Sequence, residues 1–101
     1  MDIITNYDAQ GKTLTINVGG KFDFSKVEDF RNAYADLDAS AQHVAVNLAR
    51  TEYMDSSALG MLLNMQKALA ERKRTYSIDN ARPQVAKILK ISRFDKKFEI
   101  R

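Results

Sequence analysis

Residues 43–48, which read His-Val-Ala-Val-Asn-Leu, constrain the fold more than any other segment of the chain. The run is short, rich in β-branched residues and mostly apolar, which is typical of a central strand that is covered by helices. A short polar loop follows the run, and a long helical pattern begins after that loop. The segment therefore predicts a strand and helix unit at the centre of an α/β domain.

The rest of the chain alternates between strand and helix patterns in the same way. Alternating or continuous apolar runs predict five strands, at residues 3–7, 13–18, 43–48, 74–78 and 98–100. Apolar residues at helical spacing predict three helices, at residues 26–37, 57–72 and a shorter one that begins near Pro83. This order predicts one α/β domain over residues 1–101, with a mixed sheet of about four to five strands and helices mainly on one face.

The residue types that are missing limit the chemistry of the chain. With no cysteine, disulfides, thiolate zinc sites and a cysteine nucleophile are excluded. The single histidine, His43, lies in a predicted strand, so a Ser-His-Asp triad and a polyhistidine metal site both lack their parts. We interpret His43 as structural and expect neither an enzyme nor a bound cofactor or metal.

Hydropathy gives a prediction about location. No apolar run approaches the roughly 18 residues that a membrane span needs. The N-terminal residues also lack the basic segment and apolar stretch of a secretion signal. We therefore expect a cytoplasmic protein that does not enter a membrane.

Charge is unevenly distributed along the chain, whose net charge is +3. Residues 51–101 contain eleven Lys and Arg against six Asp and Glu, whereas residues 1–50 contain five against seven. The cations are not interleaved with the aromatic residues that stack on bases, so we do not expect nucleic acid as a partner. A solvated face or an acidic patch on a protein partner is the preferred interpretation.

Asp55, Ser56 and Ser57 lie where the polar loop turns into the long helix. The first turn of a helix has free N–H groups and the positive end of the helix dipole, which favour a capping oxygen or a phosphate. From spacing alone, an ordinary Ser or Asp N-cap and a phosphate-bearing helix start both remain open.

The predicted buried face of this helix is centred on Leu59, Leu62, Leu63, Gln66, Leu69 and Ala70. Met61 projects to the other side, together with Ser57. Met61 is therefore a candidate exposed apolar residue one turn from the serines, and a position in the core is the alternative.

The segment Met54-Asp55-Ser56-Ser57-Ala58-Leu59-Gly60 resembles the signature of the STAS domain, specifically that of bacterial anti-sigma factor antagonists. Gly20-Lys21-Phe22-Asp23 is similar to the Gly-x-apolar-Asp turn of that family, and residues 80–89 resemble its last loop and helix. The chain departs from the family at Ser92-Arg93-Phe94, where a glycine usually follows the Ser or Thr. The turn after the last helix is therefore in question.

The resemblance implies a STAS fold and a partner-switching activity. The unphosphorylated domain would bind an anti-sigma factor, a serine kinase with a histidine-kinase-like ATP-binding fold, and so free the sigma factor. Phosphorylation would end this interaction, and a PP2C-type phosphatase would restore it. The resemblance implies Ser56 as the acceptor, with Ser57 as the less favoured choice. The expected partner-binding residues are Asp23, Asp55, Ser56, Ser57 and Met61.

Two other functions remain as alternatives. A STAS scaffold subunit of a lipid or anion transport complex would use the same fold and need not be phosphorylated. A small hydrolase with Ser56 as its nucleophile is disfavoured, because the sequence offers no credible base to activate that hydroxyl.

Overall fold

The computed structural model describes residues 2–101, and Met1 lies outside the described residues. Within this range seven strands and three helices alternate along the chain. They are β1 (Ile3–Asp8), β2 (Thr13–Val18), β3 (Lys21–Phe22), α1 (Val27–Ala35), β4 (His43–Asn47), β5 (Tyr53–Met54), α2 (Ser56–Ala68), β6 (Thr75–Asp79), α3 (Pro83–Ile91) and β7 (Glu99–Ile100). Short 3-10 turns, Phe24–Lys26 and Phe94–Lys96, precede α1 and β7.

Five of the strands form one mixed sheet in the order β1-β2-β4-β6-β7. β1 and β2 form an antiparallel hairpin, and β2, β4, β6 and β7 are parallel to one another. Each parallel step passes through a helix, because parallel neighbours need a crossover connection between them. The predicted mixed sheet of an α/β domain is confirmed.

One face of this sheet is apolar and the other is polar. Leu14, Ile16 and Val18 of β2 are buried, whereas the residues between them are half-buried. The apolar face lies in one core with Phe30 of α1, Leu62 of α2 and Leu89 of α3. The sequence places all three helices over this face, because alternation along the strands gives the sheet a single apolar side.

The remaining two strands, β3 and β5, form a small parallel ladder outside the main sheet. Lys21 pairs with Tyr53 and Phe22 pairs with Met54. The Gly20 carbonyl accepts hydrogen bonds from the N–H groups of Glu52 and Tyr53, at 2.8 and 3.1 Å. This ladder, which the sequence did not predict, holds the segment after β2 beside the segment that leads into α2.

The side chain of Thr51 also fixes the position of this region. Its side chain is fully buried, and its hydroxyl donates to the Gly19 carbonyl at 2.9 Å and more weakly to the Val18 carbonyl at 3.3 Å. A buried hydroxyl that is satisfied in this way specifies one loop position, because leaving it unpaired would cost free energy.

The helix α2 is shorter than the pattern over residues 57–72 predicts, since it ends at Ala68. The buried guanidinium of Arg74 donates to the Leu69 carbonyl at 2.9 Å and to the Ala41 carbonyl at 3.0 Å. It thus satisfies a carbonyl at the helix C-terminus that further helical turns would otherwise satisfy. The Gln66 amide, predicted to be buried, instead donates to the Lys97 carbonyl at 2.7 Å.

The prediction that Met61 is exposed is wrong. Its side chain is only 6% exposed, and Met65 is fully buried, whereas Leu63 lies at the surface. The reason is that α2 packs against α1 as well as against the sheet, so its buried face is rotated from the leucines toward the methionines. Unbranched methionine fills the irregular space between two helices and a sheet.

The turn after α3 forms without the glycine of the family pattern. Arg93 adopts the left-handed conformation, with φ 61° and ψ 32°. This conformation costs a residue with a Cβ about 1–2 kcal/mol. The turn therefore forms with an arginine in the strained left-handed conformation.

Candidate functional site

The candidate site is the start of α2, where Asp55 is the N-cap. The Asp55 side chain accepts a hydrogen bond from the Ser57 N–H at 2.9 Å, and its carbonyl accepts one from the Ala58 N–H at 3.1 Å. Aspartate is favoured here because its short side chain reaches the second N–H of the helix and its charge suits the helix dipole. The helix therefore begins at Ser56, one residue after the cap.

The two serines differ in their surroundings. Ser56 is exposed, whereas Ser57 is half-buried and lines the groove between α1 and α2. Ser56 is therefore the more accessible of the two residues.

Asp23 caps a second helical turn beside the first. Its side chain accepts hydrogen bonds from the Ser25 hydroxyl and from the Ser25 N–H, the latter at 3.0 Å. Because Phe22 pairs with Met54, Asp23 and Asp55 each follow one strand of the same ladder, whose strands are about 4.8 Å apart by ordinary spacing. The ladder brings together two N-cap aspartates that are 32 positions apart in the chain.

Two carboxylates, those of Asp23 and Asp55, lie at the end of the ladder near Ser56. The Ser25 hydroxyl, which donates to Asp23, holds the pKa of that carboxyl below its usual value, and the Ser25 N–H and the charge of Lys26 act in the same direction. Asp23 is therefore ionised throughout the physiological range. Glu52, two residues before the end of the ladder, forms an exposed ion pair with Arg82 at 3.6 Å.

Exposed aromatic side chains flank the site, and the sequence analysis did not predict them. Phe24 is 74% exposed and Tyr53 is 50% exposed. Phe24 opens a groove of about 280 Å³ between α1 and α2, whose walls include Val27, Arg31, Ser57, Gly60 and Asn64. The alternation Tyr53-Met54 directly before Asp55 was the available signal, because a buried Met54 requires Tyr53 to face outward.

The predicted site residues fall into two groups. Asp23, Asp55, Ser56 and Ser57 lie together at the ends of β3 and β5 and at the start of α2. Met61 is one turn further along α2 but lies at the floor of the groove as part of the core. Its contribution to any partner contact is therefore to support the groove rather than to present an exposed side chain.

His43 lies far from the serines. It is the first residue of β4, and the last residue of that strand is about 13 Å away at ordinary strand rise. The helix α2 begins beyond that last residue. Its ring bonds to the Thr75 hydroxyl at 2.6 Å and to the Ser77 hydroxyl at 2.8 Å, on the polar face of the sheet. Burial lowers the pKa of His43, and the charge of Arg101 lowers it further. The ring thus bridges two strands and cannot serve Ser56 as a base.

Within residues 2–101, no group of three or more His, Asp or Glu side chains is placed to hold a metal ion. None of the three helices there is both long and apolar enough to cross a bilayer.

Comparison with known proteins gives consistent matches over nearly the whole chain. The family model described as "Mlab, STAS domain" matches residues 5–100. A STAS-domain containing protein of Pseudomonas aeruginosa (strain UCBPP-PA14) is 41% identical over 92 residues, which is 91% of each chain. An anti-sigma-B factor antagonist of Staphylococcus epidermidis is 28% identical over 78 residues, covering 76% of this chain and 72% of the relative.

Solved structures share the fold. The anti-sigma factor antagonist SpoIIAA in its unphosphorylated form superposes with a TM-score of 0.75 at 23% identity, covering 98% of this chain and 87% of SpoIIAA. The phosphorylated form of SpoIIAA, from Bacillus, superposes with a TM-score of 0.69 at 22% identity, covering 98% and 90%.

Proposed function

Because the chain belongs to the STAS domain family, we propose that it is an anti-sigma factor antagonist that works by partner switching. In its unphosphorylated form it binds an anti-sigma factor that is also a serine kinase, and this binding frees a sigma factor. Phosphorylation of Ser56 ends the interaction, and a PP2C-type phosphatase restores it. The single observation that carries the proposal is the exposed Ser56 that directly follows the Asp55 cap.

The kinase supplies the base, the ATP and the magnesium ion in this scheme, so the substrate serine needs no activation by its own chain. The requirement on the domain is a hydroxyl that is accessible and held in a fixed place. Ser56 meets it, because the Asp55 cap and the β3–β5 ladder fix the backbone on which that serine stands.

Release of the partner follows from local electrostatics. A phosphate on Ser56 adds about −1.5 to −2 charges beside Asp55 and near the ionised Asp23. An interface fitted to a neutral hydroxyl would have to desolvate this charge. A coupling of about 3 kcal/mol would change the affinity roughly 150-fold, which is enough for a switch.

The surface around Ser56 suits protein contact in its unphosphorylated form. Phe24 follows Asp23 directly and Tyr53 precedes Asp55 by two residues, so both supply exposed apolar area close to the two caps. Phe24 and Ser57 also line the groove between α1 and α2. Exposed aromatic residues of this kind are typical anchors of protein interfaces.

The test is to replace Ser56 by Ala and by Asp and to measure binding to the cognate anti-sigma kinase by calorimetry. We expect Ser56→Ala to bind like the parent chain without accepting phosphate, and Ser56→Asp to bind at least about 10-fold more weakly. Ser57→Ala is the matched control, and it should still be phosphorylated at Ser56 when the product is mapped by mass spectrometry. Equal affinities of the Ala and Asp variants would remove the proposal. Binding to a transport ATPase that ignores both changes would instead support the transport-scaffold alternative.

A further inference from the structure

The positive charge of the molecule is concentrated on α3 and the turn after it. Residues 83–97 contain five cations, Lys87, Lys90, Arg93, Lys96 and Lys97, and one acidic residue, Asp95. This segment alone has a net charge of +4, against +3 for the whole chain, so the other 86 residues together have a net charge of −1. The basic balance of the sequence is thus a property of one short segment.

These five cations are all exposed, and they are unpaired among residues 2–101, where no carboxylate oxygen lies within 4.0 Å of their charged groups. The arginines nearest the segment on either side, Arg82 and Arg101, each contact a carboxylate instead. We call the exposed surface of Lys87, Lys90, Ile91, Arg93, Lys96 and Lys97 the basic face.

The basic face also contains an exposed aliphatic side chain. Ile91, at the last position of α3, is 71% exposed, although Val85 and Leu89 of the same helix are buried. Lys90 and Arg93 flank Ile91 in sequence, and an apolar side chain with charged neighbours is the combination that a small interface uses.

Arg93 adds a backbone observation. It occupies a left-handed conformation that glycine would adopt without steric cost. Its guanidinium is exposed within the basic face and stabilises nothing in the fold through an ion pair with any of residues 2–101. The Arg93 charge is therefore available to a partner, although its backbone position would suit glycine.

The basic face is at the opposite end of the domain from Ser56. β4 and β6 are parallel, so α2 and α3 both begin at the same edge of the sheet and run back toward the other edge. Near its far end α2 contacts the turn after α3 through the bond from Gln66 to the Lys97 carbonyl. Ser56 is ten residues before Gln66 on that helix, about 15 Å along its axis.

We propose that the basic face is a second docking surface, which binds an acidic patch on a protein partner with Ile91 as its apolar anchor. A lipid surface fits less well, because the apolar side of α3 is buried in the core and only Ile91 remains to enter a bilayer. Nucleic acid fits less well too, because Phe94 and Phe98 are buried and no aromatic residue lies on this face. Because the face is remote from Ser56, a partner there stays bound through the phosphorylation cycle.

The experiment titrates the isotope-labelled full chain with a short synthetic helical peptide of Glu and Leu, and maps the contacts by amide chemical shifts. Parallel titrations use vesicles of phosphatidylglycerol with phosphatidylcholine, and duplex DNA. The double variant Lys87→Glu with Lys90→Glu removes charge from the face. The double variant Lys21→Glu with Arg50→Glu makes the same change in net charge at exposed positions that follow β2 and β4, at the other end of the sheet.

We expect the peptide to shift the amides of residues 87–97 and to bind the first double variant about tenfold more weakly, while the control double variant changes affinity no more than about twofold. Ile91→Ser should weaken binding, and Ile4→Ser, at another exposed isoleucine, should not. Arg93→Gly should weaken binding while raising the thermal midpoint, which damage to the fold cannot do. Ser56→Asp should leave this binding unchanged, so the outcome is independent of the switch.

Equal losses in the two double variants would overturn the proposal, because they would show only a response to net charge. Tighter binding of vesicles or DNA than of the peptide, with the same dependence on Lys87 and Lys90, would overturn it in favour of that ligand.

Discussion

Asp55 holds the start of α2 in a geometry that leaves the neighbouring hydroxyl free to be modified. The carboxylate accepts the Ser57 N–H, so a phosphate on Ser56 does not need that donor and does not break the cap. Such a phosphate would lie in solvent beside Asp55, where the two negative charges repel. In the proposed switch, capping and phosphate acceptance use adjacent atoms of one helix terminus, and the cap supplies part of the repulsion.

Met61 gives a prediction about stability. Its side chain fills space between α1, α2 and the sheet, so Met61→Ala should lower the free energy of unfolding by about 2–4 kcal/mol, through lost burial and a residual cavity. Urea denaturation measures the loss. Leu63→Ala on the exposed side of the same helix is the control and should cost less than about 1 kcal/mol. If the two losses were equal, Met61 would not be a core residue.

His43 gives a prediction about pH. Burial and the charge of Arg101 lower its pKa in the folded state below the ordinary value of 6.5, which the unfolded chain keeps. Between these two pKa values the unfolded chain binds more protons, so acidification from pH 7 to pH 5 should reduce the free energy of unfolding. His43→Gln retains a hydrogen-bonding side chain and should show a flatter profile over this range in urea titrations. A profile unchanged by the substitution would mean that His43 titrates alike in both states.

At the scale of elements, the strands were the most predictable part of the fold. Two-residue alternation in β2 and the continuous apolar run of β4 marked these two strands within a residue. Helix ends were less predictable, because the end of α2 depends on Arg74, which reaches it from a later loop. The buried side of α2 was misjudged because periodicity shows that a face exists, while contact with α1 decides which side chains it contains.

The candidate site was only partly predictable for a related reason. Asp55, Ser56 and Ser57 are adjacent in sequence, so their motif was visible directly. The β3–β5 ladder that brings Asp23 to them has two residues in each strand, which is too short for any periodicity to reveal. Phe24 was missed because composition cannot tell an exposed aromatic side chain from a buried one.

The turn after α3 gives a prediction at this scale. Arg93→Gly should raise the free energy of unfolding by about 0.5–1 kcal/mol, because relief of the left-handed strain exceeds the entropy that glycine loses on folding. Thermal and urea denaturation measure the gain. Arg93→Ala is the control, since it removes the charge but keeps the strain, and it should not be stabilised. A gain of equal size in both variants would trace the effect to charge repulsion within the basic face.

At the scale of the whole molecule, the two proposed surfaces lie at opposite ends of one domain. The parallel strands fix the starts of α2 and α3 at one edge of the sheet, and the basic face is at the other. The Ser56 end carries Asp23, Asp55 and the exposed aromatic side chains, whereas nearly all the excess positive charge is on α3 and its turn. The charge separation allows partners of different character to bind the two ends without competing.

The proposed switch requires that phosphorylation leave the fold of the domain intact. Ser56→Asp should therefore change the free energy of unfolding by no more than about 0.5 kcal/mol, because an exposed charge at a helix N-terminus gains from the dipole what it loses to Asp55. Amide chemical shifts should change around residues 23–25 and 53–58 and not in β6 or α3. The fold is shared with SpoIIAA in both its unphosphorylated and its phosphorylated form. Widespread shift changes or a loss of cooperative unfolding in Ser56→Asp, with Ser56→Ala unaffected, would mean that release of the partner works through unfolding rather than through local repulsion.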